Sequence, residues 1–565
     1  MQKQQTKKRY LVFPFLLLLN FVSHFVLFKQ MGLYEDDYSF IAKAINWQQS
    51  QINQYIVTTL FNAWPQGRPL GFIIPRLAAY LSPKDAPLVF LYLFGALVIT
   101  INAFLCYKFV LFWSKNETIA FIAAMSFSLF PADTTKSLLI HIYHIQVSML
   151  FILLAINIFL RYPKYRVIAY ILGILSLLTY ETPYALIFLL PIFTEQKKQK
   201  RFWITHLIIS FSIVIFIILI RTLMGESRIA SVSLPIQIMA QIIASMVIGP
   251  VVSFGLFFYG PARTVLHMNK ELYVVMGISF IILTLMIWLY FRNNINVEES
   301  GVIKNIKMYS IEMRLPEWVA TWMNQLILVT LWLCTAYLFA FSHFPPVVRY
   351  GRGTSVHISA TIPASLLFSL FIYGIWRILK TKKIYKYAYI FLLSAYFSVT
   401  VGNQFSIQQD FVKSWAYQQK FWQQVLQLTP DVQEGTIVFV VNHNLPEEHY
   451  IISNSWADYF IYGELVEFPS DWKQLPMVLV TNGDWEKTIV DKNGQYYYPW
   501  NIYWNFLVES GNIILLTDDA NGNLIRVDDS IHLLGDKVIT SLSNNYNPVL
   551  QNQFQHKELY KVMTN

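Results

Sequence analysis

Apolar runs of about 18 residues or more recur from position 11 to about position 400, and a run of that length suits a bilayer-crossing helix rather than an element of a water-soluble core. Composition agrees, with 55% hydrophobic and 13% charged residues over 565 positions, where a soluble domain carries about 25% charge. The chain therefore reads as a polytopic all-α membrane protein. Its net charge of +10 does not call for nucleic acid as a partner, because the basic residues gather in short loops between apolar runs, as membrane topology demands. Cys106 and Cys334 both lie inside apolar runs and suggest neither a disulfide nor a metal cluster.

Spans are expected near 11–29, 87–113, 118–132, 138–160, 167–180, 183–193, 203–223, 271–291, 322–342, 359–377 and 384–400, about 11–12 transmembrane helices in all. The first run follows the basic segment MQKQQTKKRY as a signal peptide would. At about 20 residues it exceeds a usual signal core, and no small-x-small site ends it, so a retained first helix is expected. Lys7, Lys8 and Arg9, RYPKYR after 160, EQKKQKR at 195–201 and RILKTKKIYK at 377–386 mark cytoplasmic loops. Residues 30–86 and everything after about 401 are then external.

Two stretches strain this scheme. The run 168–193 lies between two basic loops and cannot be one span, and the break at TYETP (179–183) resolves it into two half-spanning helices, because Pro183 disfavours helix just before it. The stretch 237–263 breaks the parity if it crosses once and puts loop 292–320 on the wrong side. Its GP pairs at 249–250 and 260–261 predict broken, re-entrant or interfacial helices. Beyond 401 the chain turns polar. GTIVFVVNH, PMVLVTNG and GNIILLTDDANGNLIRVDD read as short strands joined by Asn-Gly and Asp-Gly turns, with TDDANGN a hairpin turn and not a calcium loop, since no Glu falls at its twelfth position. The expected division is a transmembrane domain over 1–405 including loop 30–86, an external helical connector over 406–429, and a small external α+β domain over 430–565.

The polar residues placed among these spans are the candidates for chemistry. Glu35, Asp36 and Asp37, followed by Tyr38, open the first external loop, which continues through Arg68 and Arg76 and an expected helix at 70–81. The loop is expected to pack against the bundle. Carboxylates at a membrane boundary beside arginines suit metal or phosphate handling, and a carboxylate in apolar surroundings suits taking a proton from a hydroxyl. His141 and His144 share a helix face near Lys136; carrier phosphate, a donor sugar, a structural pair and a dihistidine metal site all fit them. Glu181 in the broken turn suits either a functional role, a helix cap or an ion pair with a neighbouring span. Gln404, Gln408 and Asp410 open the external helix and could touch an acceptor. Trp415, Phe421 and Trp422 suit an interfacial belt more than a sugar platform.

Asp36-Asp37-Tyr38 in the first loop, Gly67-Arg68-Pro69-Leu70 after it, the broken turn at Tyr180-Glu181 and RYGRG at 349–353 together resemble the GT-C superfamily of membrane glycosyltransferases, in particular bacterial O-antigen glucosyltransferase-like members. The resemblance covers the organisation of roughly residues 1–400. It implies transfer of a sugar from a polyprenyl-phosphate donor to an envelope glycan or lipid acceptor on the outer face of a bacterial cell (inner) membrane, with inversion. It further implies Asp36 as base among Glu35, Asp36 and Asp37, and Tyr38, Glu181 and Gln404 as positioning residues. Arg68, Arg349, Arg352, Arg221, His141 and His144 are then candidates for the donor phosphate, with Arg228 behind Arg221; headgroup anchoring is the other role for Arg349 and Arg352. A divalent cation, Mg or Mn, held by Asp37 is compatible with it but not required. Partners would be the lipid-linked sugar, the acceptor and membrane lipids. A transporter or flippase for a lipid-linked glycan, or a non-catalytic polysaccharide-assembly protein, is the alternative.

Overall fold

The computed structural model describes residues 2–226, 235–291, 317–340, 346, 351–379, 383–441, 458–481, 490–492, 495–499, 505–508, 513–527, 531–533, 537–539 and 554–564. The chain forms two compact units. The first comprises Met1–Phe28, Gln49–Ala78 and Val89–Gln409, and the second Lys29–Gln48, Ala79–Leu88 and Asp410–Asn565.

The first unit is a bundle of α1 (Gln2–His24), α2 (Gln49–Phe61), α3 (Pro69–Tyr80), α4 (Pro87–Ser114), α5 (Glu117–Ser128), α6 (Val147–Arg161), α7 (Arg166–Thr179), α8 (Lys200–Leu223), α9 (Pro235–Leu266), α10 (Lys270–Phe291), α11 (Glu317–Thr335), α12 (Thr361–Leu379) and α13 (Lys383–Leu428), the last running on into the second unit. Among the described residues nine helices are long and apolar enough to cross a membrane, so the protein is a polytopic helical membrane protein. The segment Leu139–Arg161 is central, with 78% of its apolar window buried, whereas α8, at 17%, presents most of its surface outward.

The break expected at TYETP is present. Helix α7 stops at Thr179, Tyr180 is extended, and a 3₁₀ helix follows over Thr182–Phe193. These elements are about 21 Å and 24 Å long, short of the ~30 Å hydrocarbon core.

The stretch around 237–263 is not broken: α9 is one continuous helix that contains both Pro250 and Pro261. A proline inside a helix removes the N–H that would serve the carbonyl four residues back. For Pro261 that carbonyl is Phe257 O, and the Tyr396 hydroxyl donates to it at 2.8 Å. The break expected from the GP pair is thus repaired by a donor on α13.

Contacts inside the bundle also resolve the parity problem. One end is marked by Phe15 stacked on Phe121 and by Tyr290, which donates to Glu117 O at 3.1 Å. The other is marked by His24 on Ser128 O at 2.8 Å, Leu27 N on Gln408 at 3.2 Å, and Glu271 bonded to Gln409. Helix α10 therefore runs between the two ends. Helix α9 touches the second end through Phe257 on Phe130 at 5.6 Å and Thr264 on Asn403 at 3.1 Å. Arg221 of α8 reaches that end too, through Leu177 O. The chain thus leaves α8 and leaves α9 at the same end of the bundle.

The second unit contains β1 (Ile437–Val441), β2 (Val466–Glu467), β3 (Met477–Thr481), β4 (Val490–Lys492), β5 (Gln495–Pro499), β6 (Asn505–Val508), β7 (Ile513–Asp518), β8 (Leu524–Val527), β9 (Ile531–Leu533), β10 (Lys537–Ile539) and β11 (Gln555–His556), with helices α14 (Asp458–Leu465) and α15 (Glu558–Thr564). The strands IVFVV, MVLVT and IILLTD do not pair as hairpins: β1 lies parallel between β3 and β7, and only β8 returns antiparallel on β7 through the Asp519–Gly522 turn. Continuous apolar runs without alternation are the mark of such doubly covered parallel strands. Arg526 of β8 grips Asp431 at 2.6 and 3.0 Å and donates to Leu428 O at 3.1 Å, closing the end of α13. Helix α13 is unbroken from Lys383 to Leu428, so the segment expected as a connector at 406–429 is not a separate element. Trp415, Phe421 and Trp422 are buried, and not an interfacial belt.

If Tyr396 replaces the donor lost at Pro261, Tyr396→Phe should cost about 1 kcal/mol and clearly less in a Pro261→Ala background. Thermal unfolding of the four proteins in detergent gives the coupling, and strict additivity would show that the hydroxyl does not serve this carbonyl.

Candidate functional site

The first unit brings five of the predicted phosphate-site residues and Glu181 into one neighbourhood. Gly67, which opens the GRPL segment, and Gln66 before it both have positive φ (67° and 49°). A side chain at Gly67 would meet Glu226 at 2.3 Å and Arg221 at 2.6 Å, so only glycine admits them. The next residue, Arg68, holds Glu181 through two parallel hydrogen bonds, from Nε at 2.7 Å and from its terminal NH2 group, the fork geometry that suits carboxylates and phosphates alike. Arg221 approaches the same carboxylate at 3.6 Å and Glu226 at 4.0 Å. All four side chains are 15% exposed or less. Burial works against the charge of Arg68, but the Glu181 carboxylate outweighs it and raises its pKa. The guanidinium also lies over the Tyr180 ring at 4.3 Å.

Tyr180 links this ion cluster to the histidines. His144 meets its ring edge-on at 5.2 Å. A Cβ at Gly71 would lie 2.2 Å from His144 Nε2 and 2.5 Å from Thr179 O, so a second glycine lets α3 approach there. His141 and His144 lie at the α-to-π transition preceding α6, with a π turn over Ile142–Gln146, a distortion common at functional sites. His141 is buried and its Nδ1 has no hydrogen-bond partner among the described residues. The charge of Arg352 acts on both His141 and Tyr180. Thr134 fixes the Arg352 segment: its Oγ1 accepts from Gly351 N at 2.9 Å, and its N–H donates to Thr354 Oγ1 at 3.0 Å.

The loop 129–138 that carries Thr134 is buried throughout. Lys136 donates to Ser128 O at 2.7 Å and to Phe127 O at 3.4 Å, capping α5, and His24 meets Ser128 O as well. Gln404 does not join the Arg68–Glu181 group. It is buried and donates to Phe130 O at 3.3 Å, so its position favours holding this loop over touching an acceptor. Arg349 and Arg228 lie outside the described residues.

The acidic turn belongs to the second unit. Asp37 N donates to Tyr34 O at 2.9 Å while Asp37 Oδ2 accepts from Tyr34 N at 3.1 Å, and Glu35 between them takes a left-handed φ of 47°. Asp37 is fully buried, whereas Glu35 and Asp36 are half-buried. Helix α13 fixes the turn. Tyr34 donates to Phe411 O at 2.8 Å, Tyr38 to Gln418 at 2.5 Å, and the backbone of Gly32 lies against the Trp415 ring. Burial, aided by Asp37, pushes the Tyr34 pKa up, so the hydroxyl remains a donor. The loop expected to pack as one piece is thus divided: 49–78 joins the bundle, and 29–48 joins the unit containing 410–565.

Among the described residues no group of three or more His, Cys, Asp or Glu side chains is placed to hold a metal ion. Asp37 Oδ2, the expected ligand, faces a backbone N–H. The described side chains alone therefore do not form a divalent-cation site. Sequence reasoning missed Glu226, whose only signal is an acid five residues after the last arginine of a span, and Thr134, a hydroxyl in an otherwise unremarked TT pair. Comparison with protein-family models, characterised proteins and solved structures finds no match to this chain.

Two outcomes test this geometry. Gly71→Ala should destabilise the fold by roughly 1–3 kcal/mol, because the added methyl strikes His144 and a carbonyl; an unchanged thermal midpoint would mean that α3 can shift away. Lys136 has its pKa lowered by burial, which outweighs Asp133, from 10.5 to about 8. Between those values the unfolded state holds more protons, so stability should rise as pH rises from 8 towards 10.5. Lys136→Met should remove that part of the slope, and parallel curves for the two proteins would refute it.

Proposed function

We propose that the protein is a glycosyltransferase of the GT-C type. It transfers a sugar from a polyprenyl-phosphate donor to an envelope glycan or lipid acceptor at the outer face of the cell membrane. The observation that carries this reading is the gathering of Arg68, Arg221, Arg352, His141 and His144, from four distant stretches of chain, around the broken turn at Tyr180-Glu181. Arginine forks and imidazole donors recognise phosphate oxygens, and a lipid-linked phosphate reaches such a site from within the bilayer.

In this reading Asp36 takes the proton from the acceptor hydroxyl, whose oxygen attacks the anomeric carbon from the face opposite the carrier phosphate. The C–O bond to that phosphate breaks, and the leaving charge is received by arginine and histidine donors. Two features support Asp36 over Asp37: its half-buried position, and the engagement of Asp37 in the turn that shapes the loop. The extracytoplasmic placement of the 430–565 region, as a small α+β domain, belongs to the same proposal. The transporter reading rested on two broken helices, and the continuity of α9 removes one of them.

The test is purified protein in nanodiscs, offered polyprenyl-phosphate sugars with cell-envelope lipid extract, with release of carrier phosphate followed by mass spectrometry. Asp36→Asn should lose transfer by about 10²-fold or more with carrier binding retained. Asp37→Asn should lower the thermal midpoint as well as activity. Carrier binding without transfer under any condition, with flux of the lipid-linked glycan across the bilayer, would replace this reading by a transporter.

A further inference from the structure

The Arg68–Arg221 pair is closed by the protein's own carboxylate. Two guanidiniums converge on Glu181, one through both of its donors, in the arrangement that a phosphoryl group would take. With Glu226 beside Arg221 the cluster holds two cations and two anions. A phosphate added to these four groups would meet two carboxylates as well as two guanidiniums. Displacing one carboxylate tips that balance towards attraction. Glu181 is placed to leave: it sits at the turn between two half-length helices, beside the extended Tyr180, and it retains partial solvent contact. A second observation points to a missing oxyanion. The buried Nδ1 of His141 lacks a partner among the described residues, close to Tyr180 through Arg352 and His144.

We infer that Glu181 is an internal counter-ion that occupies the phosphate seat between Arg68 and Arg221, and that an incoming lipid-linked phosphate displaces it. Binding is then an exchange of anions. This rests on the reading of the cluster as a phosphate site and adds a gate to it: the arginines stay neutralised inside the membrane until a carrier arrives, so ordinary phospholipid headgroups must compete with a carboxylate already held by a two-pronged contact.

The experiment measures binding of a prenyl monophosphate to the full-length protein in phosphatidylcholine nanodiscs by tryptophan fluorescence. It is run for the wild type, Glu181→Gln and Arg68→Gln, with folding checked by thermal unfolding. Glu181→Gln should bind about tenfold or more tightly than wild type, and Arg68→Gln should lose binding. Hydrogen exchange is followed in parallel on the wild type, so that the test does not depend on how Glu181→Gln folds; peptides covering 176–190 should exchange faster once the ligand is added. If the wild type binds but Glu181→Gln binds equally or more weakly and exchange is unchanged, the displacement is overturned and the phosphate reading stands. If no protein binds prenyl monophosphate, the phosphate reading falls and the displacement with it. If phosphatidylglycerol nanodiscs or inorganic phosphate produce the same exchange response, the displacement stands with a general phosphate group, not the prenyl carrier, as its cause.

Discussion

A carbonyl that leaves a helix inside a membrane protein must find another donor, since neither lipid nor a packed core supplies one. Much of the first unit is organised by this demand. Tyr396 serves Phe257 O behind Pro261, Lys136 and His24 serve Ser128 O at the end of α5, and Gln404 serves Phe130 O. Arg221 serves Leu177 O near the end of α7, and His206 serves Ile187 O in the 3₁₀ helix that follows. Apart from Lys136, which belongs to the loop after α5, these donors come from three long helices, α1, α8 and α13. Irregular backbone is thereby confined to positions that the bundle itself holds, and the charged cluster sits among them.

That cluster follows from the same constraint. A turn between two half-length helices exposes backbone and brings a polar side chain to the middle of a packed structure. Glu181 at such a place cannot remain an isolated charge, because burying one costs several kcal/mol. Arg68 and Arg221 answer it, and Glu226 answers Arg221. Gly67 and Gly71, four residues apart, leave the room in which these side chains and His144 fit. The GRPL segment is therefore as much a spacing device as a source of charge: its glycine decides how closely the loop approaches, and its arginine decides what it holds.

The parts legible in sequence were those set by a single local rule. Pro183 after a long apolar run gave the broken turn, and length with hydropathy gave the membrane class and most helix positions. The TDDANGN hairpin followed from turn chemistry. What escaped depended on a residue far away in the chain. The GP pair at 260–261 reads as a break until Tyr396, on another helix, supplies the donor. The runs VFVV and MVLV carry turn signals that suggest hairpins, yet they pair in parallel, because the partner of a buried strand is chosen by what covers both its faces. Glu226 acts beside Arg221 and Thr134 beside Gly351 and Thr354, and no spacing in the sequence links them.

The three adjacent acids show how far such a reading reaches. EDDY announces charge in the first loop but cannot rank its members. The ranking comes from one turn: a left-handed Glu35 allows Tyr34 and Asp37 to exchange hydrogen bonds, which buries Asp37 and leaves Asp36 half-exposed between them. That turn stands because Tyr34 and Tyr38 are anchored to α13 by their hydroxyls at Phe411 and Gln418. Asp37 thus shapes the loop while Asp36 stays partly exposed, and the same helix that repairs α9 through Tyr396 also fixes the acids.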